Sequence, residues 1–154
     1  MSTFTSLTYH AVFGTKHRRS QITVKIRDEL YSYIGGIIRS EKGYLLEIGG
    51  IADHIHILAG FSPAVAVAEM LRHIKAGSSK WLNERNDLTE RFKWQTGYGA
   101  FTVSQSQVPV VRRYIQGQEE HHRVRSFEDE YRELLERHGI EFEERYLFDD
   151  ENHG

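Results

Sequence analysis

Asp53-His54-Ile55-His56-Ile57-Leu58 alternates imidazole and isoleucine from His54 to Ile57, the two-residue period of a β-strand. Ile55 and Ile57 then share one sheet face, and His54 and His56 share the other. Two imidazoles two residues apart on a rigid strand can hold one metal ion from the same side without ordering a loop. The spacing also suits a pair of hydrogen-bonded histidines, so it does not choose alone. Upstream, Tyr44-Leu45-Leu46-Glu47-Ile48 reads as a neighbouring strand, and Gly49-Gly50 between the two apolar runs reads as their hairpin turn.

Working outward, Leu7-Thr8-Tyr9-His10-Ala11-Val12-Phe13 is a strand with Leu7, Tyr9, Ala11 and Phe13 on one face. It runs into Gly14-Thr15-Lys16-His17-Arg18-Arg19, a basic cluster that suits a phosphate grip or an exposed turn. Ile22 to Arg39 is a helix, with Ile26, Leu30, Tyr33, Ile34, Ile37 and Ile38 at helical spacing. Ser62 and Pro63 are good N-cap and first-turn residues for a second helix reaching about Asn83. Its polar side carries Arg72, Lys75, Ser79 and Lys80. Phe92-Lys93-Trp94-Gln95 and Gly99 to Ser104 are strand material. Gln107 to Arg123 reads as a helix with Pro109 near its start. Ser126 to His138 reads as a last, solvated helix, opened by a capping arrangement of Ser126 and Asp129 and closed at Gly139.

The order strand, helix, strand, strand, helix, strand, helix predicts an α+β fold: a split β-α-β, ferredoxin- or RRM-like antiparallel sheet. Helices would cover one face, and His54 and His56 would lie on the other. The 154 residues fit one domain, with 126–154 as an acidic C-terminal helix and tail. That tail carries 11 acidic and 3 basic residues, whereas residues 1–125 carry 17 basic and 11 acidic ones. A net charge of −2 therefore hides a basic body suited to a polyanion. The absence of cysteine excludes disulfides, zinc–thiolate sites and cysteine nucleophiles. No leader pattern or membrane-length apolar window is present, so a cytoplasmic protein with no membrane partner is expected.

In Val110-Val111-Arg112-Arg113-Tyr114-Ile115-Gln116-Gly117-Gln118-Glu119-Glu120-His121-His122, Tyr114 and Gln118 are four apart and share a helix edge. Combined with Asp53-His54-Ile55-His56, this resembles the HUH single-strand nucleases, and among them the single-tyrosine transposases of small bacterial insertion sequences, including relatives associated with repetitive extragenic palindromes. Val12 to Arg18, Trp94-Gln95-Thr96-Gly97-Tyr98-Gly99-Ala100-Phe101 and the Gln118 to His122 ending also match, so the resemblance spans about residues 7–148.

The resemblance implies a transposase that cleaves and rejoins single-stranded DNA at hairpin-marked ends through a 5′-phosphotyrosine. Tyr114 would be the nucleophile; His54, His56 and Gln118 would hold a divalent metal, Mg²⁺ or Mn²⁺; Asp53, His121 and His122 would support them. These three ligands are neutral, so the ion would keep its charge for the phosphate, and a nearby cation would favour phenolate. Lys16, Arg18, Arg19, Arg72, Lys75, Lys80, Arg112 and Arg113 are the basic candidates for DNA. The family also implies a homodimer, with composite active sites where the tyrosine helix serves the partner's histidines. Competing readings are a domesticated palindrome-processing relative, a non-catalytic single-stranded nucleic-acid-binding protein, and a phosphodiesterase using water.

Overall fold

A computed structural model describes residues 1–148. Four strands, β1 (Thr8–Gly14), β2 (Tyr44–Ile51), β3 (His54–Gly60) and β4 (Gly99–Thr102), form one antiparallel sheet in the order β2-β3-β1-β4. The helices are α1 (Val24–Ser40), α2 (Val67–Glu84), α3 (Val108–Gln116), α4 (Gln118–His121) and α5 (Phe127–Arg137). This is the expected split β-α-β sheet.

Strand alternation divides the sheet into two chemically different faces. Ala11, Phe13, Ile55, Ile57 and Ala59 point to one side, where α1 contributes Ile26, Leu30, Ile34 and Ile38 and α2 contributes Met70, Leu71, Ile74 and Leu82. Val12, Leu58 and Phe101 point to the other, together with His10, His54 and His56. Here α3 packs through Val108 and Ile115, and α5 through Phe127, Tyr131, Leu134 and Leu135.

Several boundaries differ from the sequence expectation. Gly49 and Gly50 are not the hairpin turn: they lie inside β2, opposite His56 and Ile55, and the two-residue turn is Ala52-Asp53. Gly49 serves close approach instead, since a Cβ there would sit 2.9 Å from the Ile115 carbonyl oxygen. The second helix begins at Val67, not at Ser62-Pro63, because Ser62 Oγ closes a local turn by accepting from the Ala64 N–H. Residues 92–95 form no strand of the sheet: Trp94 makes an isolated bridge opposite Thr15, and Gln95 N–H donates to the Gly14 carbonyl of β1. The helix expected over 107–123 breaks at Gly117, which separates α3 from α4.

The largest departure is α5. Its opening is as expected, with Ser126 Oγ accepting from Asp129 N–H and Gly139 in the left-handed region just past its end. It is not solvated, however: it lies on the histidine face and buries a stripe of four hydrophobic residues there. Burial of such side chains stabilises by roughly 1.5–3 kcal/mol each, enough to hold an otherwise acidic helix down. Residues 149–154, the end of the expected acidic tail, lie outside the described residues.

Candidate active site

The turn Ala52-Asp53 places a carboxylate directly behind the first histidine. His54 Nδ1 lies 2.7 Å from Asp53 Oδ1, and His56 Nδ1 lies 2.7 Å from His10 Nε2 on β1. Both outer ring nitrogens are therefore engaged, and both Nε2 atoms face the same interior point. This is how metal-ligating histidines are oriented: the far nitrogen is tied so that the near one presents its lone pair. His10, on the same face as His56, carried no pattern of its own in the sequence beyond a polar residue opposite the apolar face of β1.

The tyrosine comes from α3. Its seat depends on Gly49, because the helix backbone at Ile115 touches β2 where any side chain would intrude. Tyr114 then lies over the histidines, with ring centroids 5.6 Å from His56 and 6.2 Å from His10. The break at Gly117 turns the chain so that Gln118 is buried beneath it, with Oε1 at 2.8 Å from His54 Nε2. Tyr114, His54, His56 and Gln118 are thus gathered within one chain. His121 meets the cluster only as a ring beside Tyr114, at 4.7 Å.

The residue absent from the sequence reading is Glu130. Its carboxylate is fully buried in the middle of this group. Oε1 lies 3.2, 3.0 and 3.1 Å from Nε2 of His54, His56 and His122. Oε2 accepts from Gln118 Nε2 at 2.9 Å and from the Tyr114 hydroxyl in a very short contact. Phe127, one turn earlier on α5, stacks on the His54 ring at 4.3 Å and 14°. The signal was available: Glu130 falls inside the stripe Phe127, Tyr131, Leu134, which a solvated carboxylate would avoid.

Electrostatics follow from burial and these contacts. Burial opposes charge on His54, but the hydrogen bonds to Asp53 and Glu130 and their negative charges outweigh it, raising its pKa to about 9. His56 is lowered, mainly by burial. His10 is lowered to about 3 by burial and by the neighbouring His56. Burial would raise Glu130, yet hydrogen bonds from His122, His54 and His56 dominate and hold it well below the usual carboxylate range. Tyr114 is pushed up by burial and then by the Glu130 charge, so without a cation the phenol is held neutral.

The basic candidates are not gathered. Lys16 and Arg19 line a cavity of about 280 Å³ together with Arg91 and Lys93, two residues the sequence reading did not single out. Arg18 pairs with Glu128 at 3.3 Å and covers the Phe148 ring. Arg72 pairs with Glu69, Lys75 donates to the Thr96 and Gly97 carbonyls, and Lys80 lies 4.0 Å from Glu84. All three sit on α2, across the sheet from the histidines. Arg112 donates to the Leu46 carbonyl, and Arg113 is exposed on α3.

Residues 3–118 match the family described as "Transposase IS200 like". The chain is 30% identical over 115 residues to the transposase for insertion sequence element IS200 of Salmonella typhimurium, covering 71% of this chain and 75% of that protein. It is 21% identical over 117 residues to the ISDra2 transposase TnpA of Deinococcus radiodurans, covering 73% of this chain and 84% of that one. A crystal structure of a putative transposase from Deinococcus radiodurans R1 superposes with a TM-score of 0.59 at 20% identity, over 77% of this chain and 95% of that one. The REP-associated tyrosine transposase bound to a REP hairpin gives 0.60 at 16% identity, over 79% and 74%. These two superpositions establish the shared α+β fold, and the matched sequence runs from before β1 through Gln118. The chain belongs to the IS200-like transposase family.

Proposed function

We propose that this transposase cleaves and rejoins single-stranded DNA through a 5′-phosphotyrosine at Tyr114, assisted by a divalent metal, Mg²⁺ or Mn²⁺, held by His54, His56 and Gln118. The observation that carries the reading is one buried cluster: the Tyr114 hydroxyl donates to a carboxylate whose other oxygen meets both histidines of the strand. The donor set fits a cation. Asp53 and His10 tie the outer ring nitrogens, while two imidazole Nε2 atoms and an amide oxygen converge. When bound there, a divalent ion supplies charge to screen a nonbridging phosphate oxygen.

The chain's own residues supply the rest. Tyr114 Oη attacks phosphorus, its proton passes by way of Glu130 Oε2 to the departing oxygen, and the bond from phosphorus to the 3′-oxygen breaks. The products are a phosphotyrosine and a free 3′-hydroxyl. Because the phosphodiester energy is kept in the tyrosine ester, attack by another 3′-hydroxyl rejoins strands without ATP. A hydrolase would lose that energy to water. Hairpin-bearing DNA as substrate is supported by the structural likeness to a transposase bound to a REP hairpin. Lys16, Arg91 and Lys93, beside Arg19 in its ion pair with Glu90, are the basic group best placed together to hold phosphates. The tyrosine faces its own chain's histidines, which supports cleavage within one protomer of a homodimer over a composite site.

The test is incubation with end-labelled single-stranded hairpin DNA and Mn²⁺, followed by denaturing electrophoresis. Wild-type protein should carry the label and Tyr114→Phe should not. Cleavage that persists in Tyr114→Phe would assign the chemistry to water, and DNA retention without any adduct would leave a binding module.

A further inference from the structure

We propose that Glu130 is itself a ligand of the metal centre, so that the C-terminal helix α5 supplies a carboxylate to the ion. This rests on the metal centre proposed above. The carboxylate lies twelve positions beyond the residues that match the family, which end at Gln118.

The argument is one of donors and lone pairs. His54 Nδ1 faces the Asp53 carboxylate, and His122 Nδ1 faces the Arg125 carbonyl at 2.6 Å. Both partners only accept, so both Nδ1 atoms carry the ring proton. A neutral imidazole with its proton on Nδ1 presents a lone pair at Nε2. Those Nε2 atoms point at Glu130 Oε1, and His54 Nε2 also points at Gln118 Oε1. The Gln118 amide cannot be turned to relieve this, because its nitrogen donates to Glu130 Oε2. Nitrogen and oxygen lone pairs therefore converge on one buried spot beside a full negative charge.

Such a cluster needs positive charge at its centre. A divalent ion can supply it. The separations fit: 2.8 Å from His54 Nε2 to Gln118 Oε1, 3.2 Å to Glu130 Oε1, and 3.0 Å from His56 Nε2 to Glu130 Oε1. Adjacent ligands of an octahedral ion with bonds near 2.1 Å stand about 3.0 Å apart. The ligand atoms of His54, His122 and Glu130 also lie within 4.8 Å of one another.

Two consequences follow. The ion is not held by neutral groups alone, and a carboxylate shifts its preference toward the hard cations Mg²⁺ and Mn²⁺. The ion also ties α5 to the sheet, adding to the apolar stripe that already seats the helix.

The experiment uses the full chain, stripped with EDTA and titrated with MnCl₂ by calorimetry, with free Mn²⁺ read by electron paramagnetic resonance. Amide exchange of residues 127–137 is followed with and without Mn²⁺. His54→Ala must abolish Mn²⁺ binding; if it does not, the proposed centre itself is wrong. Given that loss, Glu130→Gln should weaken Mn²⁺ at least about tenfold and remove the Mn²⁺-induced slowing of exchange in α5. Glu130→Asp, which keeps the charge but withdraws it by one methylene, should also weaken binding. Unchanged or tighter Mn²⁺ binding in Glu130→Gln, with His54→Ala still inactive in binding, would overturn the assignment: the carboxylate would then be a placeholder that the ion displaces.

Discussion

Replacing Gly49 by alanine tests how the tyrosine is positioned. The added Cβ would sit 2.9 Å from the Ile115 carbonyl oxygen and 3.0 Å from its Cγ2, whereas ordinary contact begins at 3.4 Å. Backbone cannot rotate away, so α3 must withdraw by roughly 0.5 Å, carrying Tyr114 with it. A misplacement of about 1 Å of a reacting group costs on the order of a hundredfold in rate, so half of that costs about tenfold. Overpacking at the strand–helix contact should also destabilise by about 1–3 kcal/mol. Both histidines sit on β3, which the substitution leaves in register, whereas Gln118 follows α3, so Mn²⁺ affinity should fall too, but by less than the rate. The assay is single-turnover adduct formation at saturating hairpin DNA and Mn²⁺, beside a urea melt. Adduct formation at the wild-type rate, with stability within about 0.5 kcal/mol of wild type, would refute the claim that the missing side chain at Gly49 seats the tyrosine helix.

Four further outcomes are expected. EDTA should abolish the covalent adduct and added Mn²⁺ should restore it; adduct formation in EDTA would dismiss the metal. Mixing Tyr114→Phe with His54→Ala should yield no adduct if each chain uses its own histidines, whereas recovery of activity would demonstrate a composite dimer site. Phe127→Ala removes a buried ring stacked on His54 and should cost about 3–5 kcal/mol in urea unfolding; a loss close to zero would mean α5 is not docked. In metal-free protein, the stabilising contribution of His54 is complete below pH 6.5 and is lost as pH rises through about 9. That of Glu130 is present above about pH 4.5 and is lost as pH falls, and neutral His10 likewise favours the fold only as pH rises toward 6.5. Urea stability in EDTA should therefore peak near pH 6.5 and decline on both sides, and a flat profile from pH 6.5 to 9 would show that carboxylates do not hold His54.

The parts of this site set by backbone periodicity were legible in the sequence. A period of two put His54 and His56 on one face; the interval of four pointed to Tyr114 and Gln118 together, although they meet across the break at Gly117 and not along one helix. The sheet order followed from the succession of elements. Close packing was not legible, because the same residues signal other things locally. Gly49-Gly50 between apolar runs reads as a turn, and only the approach of α3 reveals why a side chain is excluded. Ser62-Pro63 reads as a helix start, yet its hydroxyl is spent on a tighter local turn. Glu130 reads as one more charge on an acidic helix. Its neighbours Phe127, Tyr131 and Leu134 mark the stripe as buried, but the partners that would neutralise a carboxylate there include the two histidines of β3, far away in sequence. The basic residues were identified by charge alone, and charge does not report which face of the sheet a helix covers.

The most direct test of the account is peptide mapping of the covalent product. Wild-type protein is reacted with single-stranded hairpin DNA and Mn²⁺, digested with protease and nuclease, and analysed by mass spectrometry. The nucleotide mass should fall on Tyr114, with a 5′-phosphate linkage. A nucleotide on any other residue, or strand cleavage leaving no modified peptide, would contradict it.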